Sequence, residues 1–265
     1  MPTIALVGVG CHHGGVMHVR KFHRWNVSPR AAMAVQLRLR ERVRCALAEP
    51  LPANPLVAGA DISYDRGSDV MYAAVVVVRL PDLAVMEQQD AVAKARFPYV
   101  PGLLGFREAP ALLRCFRRLK HVPDAVLVDG HGQAHPRRFG VASHLGVILD
   151  VPTVGCAKSI LCGETGRLGE RRGSVSPLVD RGEPVGCALR MRDGVKPVYV
   201  SVGHKIDLGT AVDLVVRCGG RYRLPEPTRL AHLAVNELRC RAKSPTKFFS
   251  RQGELASVRA RLRDR

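Results

Sequence analysis

Four valines in a row, Val75 to Val78, lie inside a stretch, residues 71–80, that is apolar but for Arg79. Successive side chains of a strand point to opposite faces, so an unbroken apolar run is stable only where both faces are covered. A chain carrying such a strand must build a sheet with protein packed on each side of it. The same character recurs in Ala125-Val126-Leu127-Val128 and in Pro152-Thr153-Val154-Gly155-Cys156. A layered α/β protein is therefore the starting expectation.

The rest of the chain fits helices and strands around these runs. Ser28 can cap a helix whose first position suits Pro29, and Val35, Leu39, Val43 and Leu47 repeat at helical spacing over residues 31–47. Pro50, Pro52 and Pro55 end it. Strands are predicted at 56–64, 71–80 and 83–91, joined by the turns Asp65-Arg66-Gly67-Ser68 and Pro81-Asp82. Helices follow at 105–119 and 140–149, alternating with strands at 125–128 and 152–156. Residues 163–173, rich in glycine and arginine, read as a loop. A second strand pair is expected at 185–192 and 197–202, and two more helices at 209–218 and 228–241. Strands first and βα units after them predict one mixed sheet with helices on both faces.

The 265 residues suffice for a single sizeable core. Residues 1–24 are expected to be a disordered leader, with Met17 an alternative start, 25–243 a single catalytic domain, and 244–265 a basic tail. No run approaches the roughly 18 apolar residues of a membrane span, so no membrane partner is expected. The eight cysteines are scattered and form no CxxC pair. They read as reduced thiols of a cytoplasmic protein. Cys11, His12 and His13 read as a chance cluster, because no second ligand pair follows at zinc-site spacing. A formal charge of +18 favours polyanions, nucleic acid above all.

Chemistry is suggested where acids meet strand ends. Asp61 follows an apolar run inside a predicted strand, and Asp129 follows Val126-Leu127-Val128 with Gly130 next. Each alone suits a loop cap. Together, in a strongly basic chain, they equally suit Mg²⁺, which prefers oxygen ligands and binds through one or two carboxylates plus substrate phosphate. Pro98-Tyr99-Val100-Pro101-Gly102 holds an aromatic between prolines, either as a tight turn packed on the core or as a rigid apolar tip that wedges between bases. Glu108 begins the next helix, where an acid also suits the helix dipole. The stretch Asp129-Gly130-His131-Gly132-Gln133-Ala134-His135-Pro136-Arg137-Arg138 combines glycines with polar types common in active sites. Lys158, just past a strand, can sit beside a phosphate.

In these segments the chain resembles the endonuclease V family of deoxyinosine-directed repair nucleases. The resemblance runs through Val57-Ala58-Gly59-Ala60-Asp61-Ile62-Ser63-Tyr64 and residues 98–108, 129–146, 154–163, 192–208 and 222–232. It implies an RNase H-like fold, Asp61 and Asp129 as Mg²⁺ ligands with Mn²⁺ as a substitute, and Glu108 as a third essential acid. Pro98, Tyr99, Val100 and Pro101 would form the strand-separating wedge, with valine where isoleucine is usual. Gly102, Leu104, Gly130, Gly132 and His135 would surround the extruded base, and Lys158 would lie near the cleaved phosphate. His232 would assist the metal or a water. His131 stands where many relatives carry glutamine or asparagine, so its role is open.

The resemblance further implies a monomer that acts on DNA containing deoxyinosine or other deaminated bases. It would cut one linkage beyond the lesion on the 3′ side, leaving 3′-hydroxyl and 5′-phosphate. RNA containing inosine is the alternative substrate. A lesion-binding protein that does not cut, and a general RNA-binding structural protein, are rivals of a different kind.

Overall fold

Strands β1 (Leu56–Tyr64), β2 (Val70–Arg79) and β3 (Ala84–Lys94) form a consecutive antiparallel meander, with Leu56 opposite Arg79 and Val77 opposite Glu87. Strand β4 (Ala125–Val128) runs parallel to β1, placing Val57 beside Ala125, and β5 (Thr153–Ala157) runs parallel to β4. Beyond β5 the sheet continues antiparallel. It passes through β9 (Val198–His204), β8 (Glu183–Leu189) and β7 (Val175–Asp180) to the two-residue β6 (Glu164–Thr165). The order of the nine strands is β3-β2-β1-β4-β5-β9-β8-β7-β6. The computed structural model describes residues 17–65 and 67–243.

The valine run behaves as its composition requires. Val75 and Val77 point to one face, Val76 and Val78 to the other, and none is more than 1% exposed. On the first face, helices α2 (Leu104–Phe116) and α3 (Val141–Leu149) bring Leu112, Leu113, Phe116, Leu145 and Ile148 against the sheet. Helix α1 (Pro29–Arg40) lies outside them, where Leu39 meets Phe139 and Val147. On the second face, α4 (Leu208–Arg217) and α5 (Glu226–Lys243) supply Leu214, Val215, Ala231 and Val235. Each fully buried valine or leucine contributes about 1.5–3 kcal/mol to holding the layers together. The expected RNase H-like mixed sheet, with helices on both faces, is the fold.

Three local expectations give way. Helix α1 stops at Arg40 rather than running to Leu47, because tertiary contacts claim the following segment: Val43 packs on the Leu39–Phe139–Val147 cluster, the Arg44 amide donates to His204 Nδ1 (3.3 Å), and Leu47 reaches the core of the opposite face. Strand β7 was hidden by Pro177. The proline is tolerated because β6 pairs only with Leu178 and Val179, leaving Pro177 on an open edge. The leader assigned to residues 1–24 yields over 17–24: Met17 is 3% exposed, Val19 and Phe22 pack on the same cluster, and the Arg20 amide donates to Ile148 O (2.9 Å). Residues 1–16, with the Cys11-His12-His13 cluster, and the tail at 244–265 lie outside the described residues.

One glycine sets the spacing that the site depends on. A Cβ at Gly59 would stand 2.0 Å from the backbone carbonyl of Pro227, so α5 can approach β1 this closely only over a residue without a side chain. Two residues along β1 from Gly59, on the same face, is Asp61.

Candidate active site

The acids converge at the carboxyl ends of the parallel strands, where open α/β sheets place their sites. Asp61 lies late in β1 and is 7% exposed. Asp129 follows β4 directly, its amide extending the ladder to Ala60 O (3.1 Å). His232, on α5, sets its Nδ1 2.8 Å from Asp61 Oδ2. The donor atoms of Asp61, Asp129 and His232 all lie within 4.8 Å of one another. Lys158, one residue past β5, pairs its ammonium with Asp129 Oδ2.

The electrostatics of this cluster call for a cation. Burial first, and then the charge of Asp129, pushes the Asp61 carboxyl up to about 6, against the pull of His232 and Lys158. Burial, followed by the charges of Asp61 and Asp129, pushes Glu108 on α2 up to about 8. Among the described residues nothing donates a hydrogen bond to the Glu108 carboxyl, whose nearby cation is Arg107, while Lys158 acts on Asp61 and Asp129. A hard divalent cation fits such a donor set: oxygen ligands dominate, and one imidazole is tolerated. His232 belongs to the ligand-forming group and Glu108 does not; the resemblance implies His232 as an assistant of the metal or a water and Glu108 as a third essential acid.

Beside the acids opens a cleft of about 260 Å³, walled by Tyr99, Gly102, Leu104, Glu108, Gly130, His131 and His135 among others. Its rim is set by a turn. Val100, Pro101, Gly102 and Leu103 close through the Leu103 amide on Val100 O (2.9 Å), with Gly102 at φ +77°. Proline second and glycine third in a four-residue turn is the type II pattern, which needs that positive φ. Three donors converge on the Gly102 carbonyl: Gln36 Nε2 at 2.9 Å, His135 Nε2 at 2.9 Å and Arg137 Nη2 at 2.7 Å. The wedge turn is thereby tied to the 129–140 loop.

The expected wedge divides. Tyr99 is 58% exposed at the cleft mouth, so it does not pack on the core. Val100 turns inward, against the cluster of Ala32, Phe97, Leu103 and Phe106. Pro98 and Pro101 are exposed on either side.

The expected pocket residues also separate. Gly102, Leu104, Gly130 and His135 line the cleft. Gly132 lies behind it, where a Cβ would stand 2.0 Å from Val202 O, and its amide donates to Ser201 Oγ (2.9 Å). His135 has both ring nitrogens engaged. Nδ1 accepts from the Arg137 amide (3.1 Å), which leaves Nε2 to donate to Gly102. Burial lowers its pKa to about 4, so the ring is a neutral wall holding the turn. His131 also lines the cleft and is held neutral, burial lowering it to about 4, yet its buried Nδ1 has no partner among the described residues.

Gln36, Ser159, Ile160 and Leu161 line the cleft as well, and none was singled out from the sequence. Gln36 left a signal: it is a polar residue in the buried stripe Ala32, Gln36, Leu39 of α1. The other three left none, since short polar–apolar runs after strands are common.

Comparison with known proteins agrees over most of the chain. The sequence profile of the family described as Endonuclease V matches residues 38–233. Endonuclease V of Myxococcus xanthus is 50% identical over 218 residues, covering 82% of this chain and 92% of that protein. The crystal structure of the Streptomyces avermitilis endonuclease V superimposes with a TM-score of 0.79 at 42% identity, over 85% of this chain and 99% of that one. The Ciona intestinalis endonuclease V, crystallised with a 24-mer DNA containing an inosine followed by a ribo-adenosine, matches with a TM-score of 0.69 at 25% identity. That match covers 79% of this chain and 96% of the other.

Proposed function

The chain belongs to the endonuclease V family, and from that premise we propose that it is a DNA repair endonuclease recognising deoxyinosine and hydrolysing a phosphodiester on its 3′ side. One observation carries the reading: Asp61, Asp129 and His232 meet at the carboxyl ends of the parallel strands, Glu108 on α2 feels the charge of both aspartates, and Asp129 and Glu108 line a cleft with an exposed tyrosine at its mouth and glycines in its wall.

Asp61 and Asp129 hold Mg²⁺, with Mn²⁺ as a substitute, and His232 steadies Asp61 through its Nδ1 contact. When bound there, such an ion would supply a Lewis acid for the phosphate oxygens and would lower the pKa of water at the cut. Glu108, whose carboxyl carries a proton more readily than a free one, orients the attacking water or a second ion. Lys158 offsets charge on the phosphate as it leaves its contact with Asp129.

Tyr99 fills the stack that the extruded base vacates, while Gly102, Leu104, Gly130 and His135 enclose that base. Hypoxanthine presents a carbonyl where adenine presents an amine, so a backbone amide in this wall favours it. A buried donor left unpaired costs roughly 1–3 kcal/mol. The products are a 3′-hydroxyl and a 5′-phosphate, one linkage beyond the lesion.

The enzyme acts as a monomer in the cytoplasm. All seven cysteines among the described residues are free thiols, and no helix among those residues is long and apolar enough to cross a membrane. A second reading, cleavage of inosine-containing RNA, is favoured by the ribo-adenosine that follows the inosine in the Ciona complex.

The decisive experiment incubates labelled inosine duplex with the protein, with and without Mg²⁺, and maps the cut. Mg²⁺-dependent scission on the 3′ side is expected, lost in Asp129→Ala while binding persists. Cutting unchanged in that variant would overturn the metal assignment. Faster cutting of a matched RNA oligomer would replace DNA as the substrate.

A further inference from the structure

We propose that the pocket walled by Arg172, Arg192, Arg221 and Tyr222 grips the DNA duplex on the 3′ side of the cut. The inference rests on the functional reading above, which makes the cleft the lesion pocket and the carboxylates the cutting centre.

Position is the first argument. The lesion cleft opens on the face of α1, α2 and α3, through Gln36, Leu104, Gly105, Glu108 and Val141. The second pocket, of about 580 Å³, belongs to the opposite layer: it is lined by Met191, which is part of the core under α4 and α5, and by Gly220 just past α4. Asp61 and Asp129 stand at the sheet edge by the carboxyl ends of β1 and β4, and Met191, Arg192 and Asp193 of the second pocket follow the carboxyl end of β8. The scissile linkage lies 3′ of the lesion, so a strand that leaves the cleft and crosses the acids continues 3′-ward towards this pocket.

The two places are physically joined. Lys158, paired with Asp129, offers its carbonyl to Arg223 Nη2 at 2.5 Å. Tyr222 precedes Arg223, and the Arg229 guanidinium sits 4.3 Å from the Tyr222 ring. Arg229 lies one turn before His232 on α5.

Charge is the second argument. Among the described residues, Arg172, Arg192 and Arg221 are exposed and form no ion pair, unlike Arg138, which is paired with Asp180 and Glu183, and Arg20, paired with Asp150. Their tethers are uncharged: Arg172 Nη2 donates to Val216 O (3.3 Å) and Arg192 Nη1 to Arg221 O (3.4 Å). Asp193 in the pocket wall accepts the Arg172 amide at 2.5 Å. The guanidinium forks of Arg172 and Arg192 are held in place but not neutralised, and that of Arg221 is exposed beside them, an arrangement that suits phosphate oxygens. Tyr222, 51% exposed and steadied by Arg229, offers a flat apolar face to a deoxyribose.

The test measures binding of inosine duplexes to the full chain in EDTA, by fluorescence anisotropy, for the wild type and for Arg192→Ala/Arg221→Ala. On a long duplex the variant binds more weakly. The loss of two phosphate contacts narrows the gap between the proteins about tenfold when salt rises from about 50 to 200 mM. On a duplex truncated just beyond the cut on the 3′ side, wild type and variant bind alike, whereas truncating the 5′ arm leaves the difference intact. Arg192→Lys/Arg221→Lys, which retains the charge, restores most of the salt dependence and guards against misfolding of the alanine form. Equal binding of the long duplex by wild type and alanine variant overturns the proposal, as does a deficit that follows the 5′ arm. A wild-type protein that neither cuts nor prefers inosine duplex overturns the functional reading itself, before any variant is compared.

Discussion

Replacing Glu108 by glutamine should make the metal-free protein more stable while abolishing its chemistry, and the gain should depend on pH in a defined way. The Glu108 carboxyl titrates near 8 in the fold, raised first by burial and then by Asp61 and Asp129, against an ordinary value of 4.5. Below pH 4.5 both folded and unfolded chains are protonated and nothing is lost. Between 4.5 and about 8 the unfolded chain has released a proton that the fold retains, so stability falls as pH rises. The slope is about 1.4 kcal/mol per pH unit, or about 3 kcal/mol accumulated by pH 7. Glu108 keeps some solvent access, which screens its charge and brings the expected figure to roughly 1–3 kcal/mol. Glutamine has nearly the same shape and does not titrate. Urea unfolding in EDTA at pH 5, 6, 7 and 8 should therefore show wild type and Glu108→Gln diverging steadily with pH. Adding Mg²⁺ should close part of the gap, because an ion that binds only the folded form stabilises it. Stability lines that stay parallel from pH 5 to 8 would refute the electrostatic reasoning.

Tyr99→Ala should leave the urea midpoint within about 0.5 kcal/mol of wild type, because the side chain is mostly exposed. Cutting of paired inosine substrate should fall about tenfold more than cutting of a single strand, and equal losses on the two would remove Tyr99 from strand opening. Gly59→Ala drives a methyl into the Pro227 carbonyl and should cost about 3 kcal/mol by forcing α5 off β1. An unchanged unfolding midpoint would show that α5 can retreat freely.

The sheet was legible because its signals are local. A valine run under two layers, acids at the ends of apolar runs, and Ser28-Pro29 at a helix start each follow from neighbours in the chain. Strand β7 was not legible, because its edge position excuses a proline that would be disqualifying in a central strand. The end of α1 was misjudged for the complementary reason: helical spacing continues to Leu47, but Val43, Arg44 and Leu47 find better partners in three different parts of the fold.

The acids, the wedge run and the glycine-rich loop could be read along the sequence, and their order identified the family, because each is a run of residues whose chemistry does not depend on what lies opposite. What each residue does there depended on the tertiary structure. Gly132 moved behind the cleft, His135 spent both nitrogens on the wedge turn, and Val100 turned into the core while Tyr99 stayed out. His232, 171 residues from Asp61 in the chain, joined the ligand-forming group because Gly59 lets α5 close on β1. Sequence alone determined which chemistry the chain carries. Packing decided which atoms are left free to perform it, since burial and hydrogen-bond satisfaction are properties of neighbours that only the fold supplies.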